Sequence, residues 1–157
     1  MGHLAQHVVG GLLAGAAGTT ALNTVTYLDM VARGRGASST PEQTVEQLSE
    51  RTGVAIPGDE DARSARTSGL GALTGIGAGL AAGAVYGAVR GLGWRPGLLG
   101  GTAVSGAVAL LAGNVPMTAL GVTDPRTWPV SSWVSDVVPH LAYGLVTAVT
   151  ARAVERP

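Results

Sequence analysis

At 157 residues the chain has the size of one domain, and 46% of it is hydrophobic while only 13% is charged; mean hydropathy is +0.32. A formal net charge of zero with no basic stripe argues against a nucleic-acid partner, and the absence of cysteine removes disulfides and thiol chemistry. All ten basic residues are arginine, which reads as coding bias of the source genome.

The charges cluster and leave residues 4–28, 67–89, 96–123 and 130–151 almost free of them. A bilayer core needs about 20 apolar residues of helix, so each window is long enough to span. The expectation is one all-α membrane domain over residues 1–157, a four-helix bundle with spans at about 4–30, 68–90, 97–119 and 130–152. Residues 33–67 form the extramembrane loop.

The N-terminus lacks the Lys/Arg region of a secretory signal. Ala14 to Gly18 has the small residues of a cleavage site, but apolar character continues through Val31, so the segment reads as a retained first span. Gly11, Gly15, Thr19 and Asn23 share one of its faces. His3 and His7 have the i, i+4 spacing of a metal pair, yet no third ligand is fixed nearby; polar residues at a helix end are the preferred reading over a metal centre. Asp29, Arg33 and Arg35 form a membrane-edge cluster.

In the loop, Thr40 as N-cap, Pro41 at the first helical position and Gln43 three beyond the cap predict a short helix of roughly 11 residues stopped by Gly53. Glu42, Glu46 and Glu50 share a face and Val45 and Leu48 take another, so this helix is amphipathic and lies on the membrane surface or against the bundle. The charged tract from Pro57 to Ser68 reads as a solvated loop.

The second span carries Gly71, Gly75, Gly79, Gly83, Gly87 and Gly91 at four-residue spacing. In water each interior glycine costs roughly 0.5–1 kcal/mol relative to alanine. In lipid the same face permits close backbone approach, so the stripe predicts a helix clasped tightly by a neighbour. Gly97, Gly101, Ser105, Ala109 and Gly113 make a similar face on the third span, where Asn114-Val115-Pro116 interrupts the apolar run. Proline frees a carbonyl one turn earlier, and Asn114 either bonds across helices or points into a wet cavity.

On the fourth span Asp136 and His140 stack four apart, below Gly144 and Ala148. Either the helix begins near Val130 with Asp136 inside it, or Asp136 caps a short tilted span; Pro139 marks a first turn or a kink. Ionisable groups at such depth are costly and point to function, a proton relay or ligand site, against the alternative of a helix cap and a packed histidine. Trp94, Trp128 and Trp133 sit at span boundaries, the belt position for tryptophan.

Leu12-Leu13-Ala14-Gly15 and Thr20-Ala21-Leu22 recur as Leu110-Leu111-Ala112-Gly113 and Thr118-Ala119-Leu120, 98 positions later, and Tyr86-Gly87 recurs as Tyr143-Gly144 after 57. These matches suggest two tandem helical hairpins related by an axis along the membrane normal. No nucleophile motif, phosphate loop or metalloprotease signature is present, and Gly75-Ile76-Gly77 lies within a span without a preceding strand. The expectation is a non-enzyme without cofactor.

Ala14-Gly15-Ala16-Ala17-Gly18-Thr19, the loop helix after Thr40-Pro41, Asn114-Val115-Pro116-Met117 and His140-Leu141-Ala142-Tyr143-Gly144 together resemble the small YagU-like inner-membrane proteins of bacteria. The resemblance covers nearly the whole chain and rests on short Gly- and Ala-rich motifs. Members of that family often carry a second His-x-x-Tyr-Gly in the second span; here Tyr86-Gly87 remains and Gly83 replaces the histidine. The resemblance implies a multi-pass protein of the bacterial inner membrane, with a link to acid tolerance in one branch and no established reaction.

Arg90, Arg95, Arg152 and Arg156 share the side of both termini, against Arg33, Arg35, Arg51, Arg63, Arg66 and Arg126 on the other. Raw counting puts the termini outside; discounting the long loop and adding the resemblance puts them in the cytoplasm.

Two main functional readings follow. In one, Asp136, His140, Asn114, Asn23 and Tyr143 line a polar path in a channel-like, transporter-like or transport-accessory protein for protons or a small solute. In the other, the small-residue faces, Gly11, Gly15, Gly71 to Gly87, Gly101, Gly113 and Gly144, hold together a non-catalytic scaffold or accessory subunit. A binder of a lipophilic ligand between the hairpins is the third reading. The partners implied are the lipid bilayer and a homo-oligomer or membrane subunit.

Overall fold

In the computed structural model, which describes residues 2–155, every regular element is helical: α1 His3–Arg33, α2 Thr40–Thr52, α3 Glu60–Gly91, α4 Leu98–Ala119 and α5 Val130–Val154, with a 3-10 turn at Pro125–Thr127. Arg156, which enters the charge balance above, lies outside the described residues. Four helices, α1, α3, α4 and α5, are long and apolar enough to cross a membrane. At 1.5 Å per residue the shortest of these is about 33 Å, just over one hydrocarbon thickness.

The bundle is a ring in which α1 packs antiparallel on α3 and on α5, α5 packs antiparallel on α4, and α3 meets α4 more lightly. The N-terminal ends of α1 and α4 share one end of the bundle with the C-terminal ends of α3 and α5. The hairpins α1/α3 and α4/α5 therefore run parallel to each other, as the internal repeat requires.

Side-chain size is sorted opposite to a water-soluble core. The buried apolar residues of the four long helices are Ala14, Ala82, Tyr86, Ala109, Tyr143, Ala148 and Ala151, whereas Leu13, Leu28, Leu73, Leu99, Leu111 and Leu141 among many others point outward. In water so wide an apolar surface would drive association. In lipid it costs nothing, and the small residues inside give the backbones their close approach. The protein is therefore a multi-pass membrane protein.

The closest seam joins α1 to α3. A methyl built on Gly15 would stand 2.7 Å from the Gly79 carbonyl oxygen, and one on Gly83 would stand 2.5 Å from the Gly15 Cα. Gly11 meets Gly83 and Gly87 in the same manner, and Gly91 meets His7 and Leu4. The six-glycine stripe does not, however, face one neighbour. Gly71 packs on Pro41 of α2 and Gly75 faces open space. Four residues advance a helix by about 400°, so each step rotates the stripe by about 40° and its ends diverge. For the same reason Gly113 faces open space, while Gly101, Ser105 and Ala109 are buried. Two close contacts lie outside the sequence-derived faces: Gly18 against Tyr143 and Thr147, and Gly106 against Gly144 and the His140 carbonyl.

The repeat is visible in these contacts with a shifted register. Gly144 meets Thr102 and Gly106 of α4 as Gly87 meets His7 and Gly11 of α1. Thr102 and Gly106 stand 95 positions after His7 and Gly11, so the structural offset of α1 to α4 is 95, three short of the Leu-Leu-Ala-Gly match.

Two local expectations are corrected and one open alternative is decided. The tract from Pro57 to Ser68 is mostly helical, because the Asp59 side chain accepts from the Ala62 amide at 2.9 Å and Glu60 and Asp61 complement the helix N-terminus. Thr40 is the first helical residue of α2 and not its cap. Ser39 occupies that position without a side-chain cap to the backbone, and its Oγ accepts from Gln43 Nε2 at 3.1 Å. Of the two alternatives for Asp136, the first holds: it lies inside α5, which starts at Val130. α2 itself packs against the bundle: Ser68 Oγ donates to Glu42 Oε1 at 2.9 Å, and Arg51 Nη2 donates to the Leu120 carbonyl at 3.0 Å at the end of α4.

Candidate functional site

The fold gathers polar groups at both ends of the bundle. Near the start of α5, Asn114 Nδ2 donates to Asp136 Oδ2 at 2.7 Å, which makes Asn114 the link between α4 and α5. His140 Nδ1 lies 2.7 Å from the Asp136 backbone carbonyl and 3.4 Å from Asp136 Oδ1. A carbonyl only accepts, so Nδ1 carries a hydrogen, and in the neutral ring Nε2 keeps the lone pair. That Nε2 has no hydrogen-bond partner among the described residues, and the side chains of His140 and Asp136 are 17% and 21% exposed. The trio is a carboxylate–imidazole pair held by an amide, set between two membrane-spanning helices and partly exposed.

Level with it, Asp29 pairs with Arg35 (2.5 Å) and Arg33 (3.5 Å), and Ser135 joins them by accepting from Arg33 and donating to Asp29. This ties the end of α1 to α5. The neighbouring 3-10 turn is fixed by Asp124, which accepts from Arg126 and is held below the usual carboxylate range by it, while the guanidinium of Arg126 is raised in return. Trp128 Nε1 donates to Thr123 Oγ1 at 2.7 Å and its ring packs on Trp133.

Tyr143 and Asn23 do not join the trio. Tyr143 is fully buried and its hydroxyl donates to the Gly79 carbonyl at 2.7 Å, bonding α5 to α3. Asn23 is half-buried on α1 and makes no hydrogen bond to the trio. Two shallow surface grooves are present, one of about 210 Å3 lined by Leu98, Val149, Arg152 and Ala153 and one of about 270 Å3 between α2 and Gly121-Val122. Neither reaches Asp136 or His140.

The opposite end holds a more deeply buried cluster that the sequence reading did not assemble. Arg90 of α3 is 4% exposed and His7 of α1 is 8% exposed. Glu155, just past α5, accepts from Arg90 Nε at 2.8 Å and from His7 Nδ1 at 2.9 Å. The Arg90 guanidinium donates to the second carboxylate oxygen as well and lies 5.6 Å from the Tyr86 ring centroid. Its Nη1 and the Tyr86 hydroxyl are buried without hydrogen-bond partners among the described residues. Arg90 first, and His7 after it, hold the Glu155 carboxyl below its usual range. One signal was available: Glu155 is the single acidic residue after Asp136, on the side where Arg90, Arg95 and Arg152 collect.

Comparison with protein-family profiles, with curated proteins and with solved structures finds no match.

Proposed function

We propose that the chain is a non-catalytic accessory protein of membrane transport, YagU-like in kind and resident in the bacterial inner membrane with cytoplasmic termini. In this reading a closed four-helix bundle presents the Asn114–Asp136–His140 trio to a partner subunit or a second copy. The observation that carries it is the packing of the bundle to backbone contact along α1/α3, with hydroxyls of Tyr143 and Ser105 spent on neighbouring carbonyls. A single bundle closed in this way encloses no path for a solute. The trio, by contrast, is partly exposed and sits where lipid or a partner would cover it.

The free Nε2 of His140 favours a second reading, proton conduction through an oligomer in which several trios meet. Flux into liposomes with an entrapped pH-sensitive dye separates the two. The accessory reading expects the purified wild type to dissipate a pH gradient no faster than empty vesicles. Dissipation that the wild type supports and His140→Ala abolishes would replace it with conduction, and equal flux in both proteins would remove His140 from the path.

A further inference from the structure

The cluster at the other end of the bundle has no role in that reading, and its geometry has a direction. The Nε2 atoms of His3 and His7 stand 3.3 Å apart. That separation is at the long end of hydrogen-bond reach, and it is also the separation, about 3.3 Å, of two nitrogens bound at about 2.0–2.1 Å to one tetrahedral ion. We propose that His3 and His7 bind a divalent transition-metal ion of the zinc class through their Nε2 atoms, with Glu155 as the carboxylate that orients His7.

The tautomer follows from the partners. Glu155 is doubly engaged by Arg90 and is an acceptor only, so the His7 Nδ1 beside it carries the hydrogen. In its neutral form His7 therefore turns a lone pair on Nε2 toward His3. A carboxylate on the nitrogen opposite the coordinating one is the usual second support of a metal-bound histidine. Here it has a support of its own in buried Arg90, so α1, α3 and α5 all fix the direction of one ligand. His7 is buried and His3 is exposed, which gives one anchored ligand and one that closes from the aqueous side. Among the described residues no set of three or more His, Cys, Asp or Glu converges, so the ion keeps water on its remaining positions. Imidazole pairs of this kind suit zinc, copper, nickel and cobalt, not magnesium or calcium.

The test uses tag-free, chelator-stripped full-length protein in detergent, titrated with Zn2+ by calorimetry and with Co2+ by visible absorption. One ion per chain is expected, with binding lost in His3→Ala, whose exposed side chain leaves the His7–Glu155–Arg90 contacts intact. Glu155→Gln is expected to weaken affinity roughly 10–100-fold, the usual effect of losing an orienting group. Glu155→Asp, which keeps the charge beside Arg90, should fall between and serves if the glutamine variant does not fold. An adventitious chelate made by histidine spacing alone would bind with the same affinity in the wild type and both Glu155 variants, and that result overturns the proposal. Absence of saturable binding in the wild type overturns it too, as does loss of binding in His140→Ala.

Discussion

The two hairpins close by different means. Along α1/α3, Gly11 and Gly15 lie against Gly79, Gly83 and Gly87, and backbone meets backbone over more than two turns. Along α4/α5 the equivalent backbone approach is shorter, running from Thr102 and Gly106 to His140 and Gly144. Beyond it the seam is bridged by side chains, with Ser105 Oγ donating to the Gly144 carbonyl at 3.1 Å and Asn114 donating to Asp136. Glycine supplies dispersion contact that tolerates no added atom, whereas a polar bridge leaves room between helices and places titratable groups there. The hairpin with the shorter glycine seam is the one that carries Asp136 and His140.

Substitutions can break that contrast in graded steps. Gly83→Leu should do the most damage, removing on the order of 3 kcal/mol or more through overpacking against Gly11 and Gly15; loss of a monodisperse peak in detergent is the readout. Asn114→Ala should cost about 1 kcal/mol, the scale of a single interhelical hydrogen bond in a membrane protein, measured as a lower unfolding midpoint. Gly75→Ala should change stability by no more than about 0.5 kcal/mol, since nothing stands within reach of the added methyl; a large loss there would mean that this face meets another copy. The smallest effect concerns pH. Asp124 has a lowered carboxyl pKa in the folded chain, so its pairing with Arg126 is complete above the ordinary value of 3.8 and fades as pH falls through the folded value. Acidification below that point should change the emission of Trp128 and Trp133, and Asp124→Asn should remove the change.

The four spans were legible because charge-free windows of sufficient length have one reading in a lipid setting. The first three turns of α3 were not, because Glu60, Asp61, Arg63 and Arg66 look like solvent-facing loop chemistry, and only the Asp59 cap distinguishes a charged helix from a charged coil. The stripe was legible as a device for close packing, but its four-residue spacing does not match the 3.6-residue turn. Which glycines face α1 depended on where α1 lies. At the sites, Asp136 and His140 could be paired by their four-residue spacing, and Asn114 singled out as a costly polar residue in an apolar run. The joining of Asn114 to that pair, and the wholly unread meeting of His7, Arg90 and Glu155, depend on the ring order of the helices. Residues 7, 90 and 155 share no local pattern; only the fold makes them neighbours.

The position of α1 between α3 and α5 has a consequence for biogenesis. Its contacts to α3 become available once the first hairpin is inserted, but the notch at Ala14 and Gly18 is filled only by Thr147 and Tyr143, more than 120 residues further along. Until α5 enters the bilayer, the nascent chain holds a half-built bundle with that notch open to lipid. Insertion of α5 is thus the committing step of assembly, and a chain arrested before it presents membrane quality control with a bare glycine face.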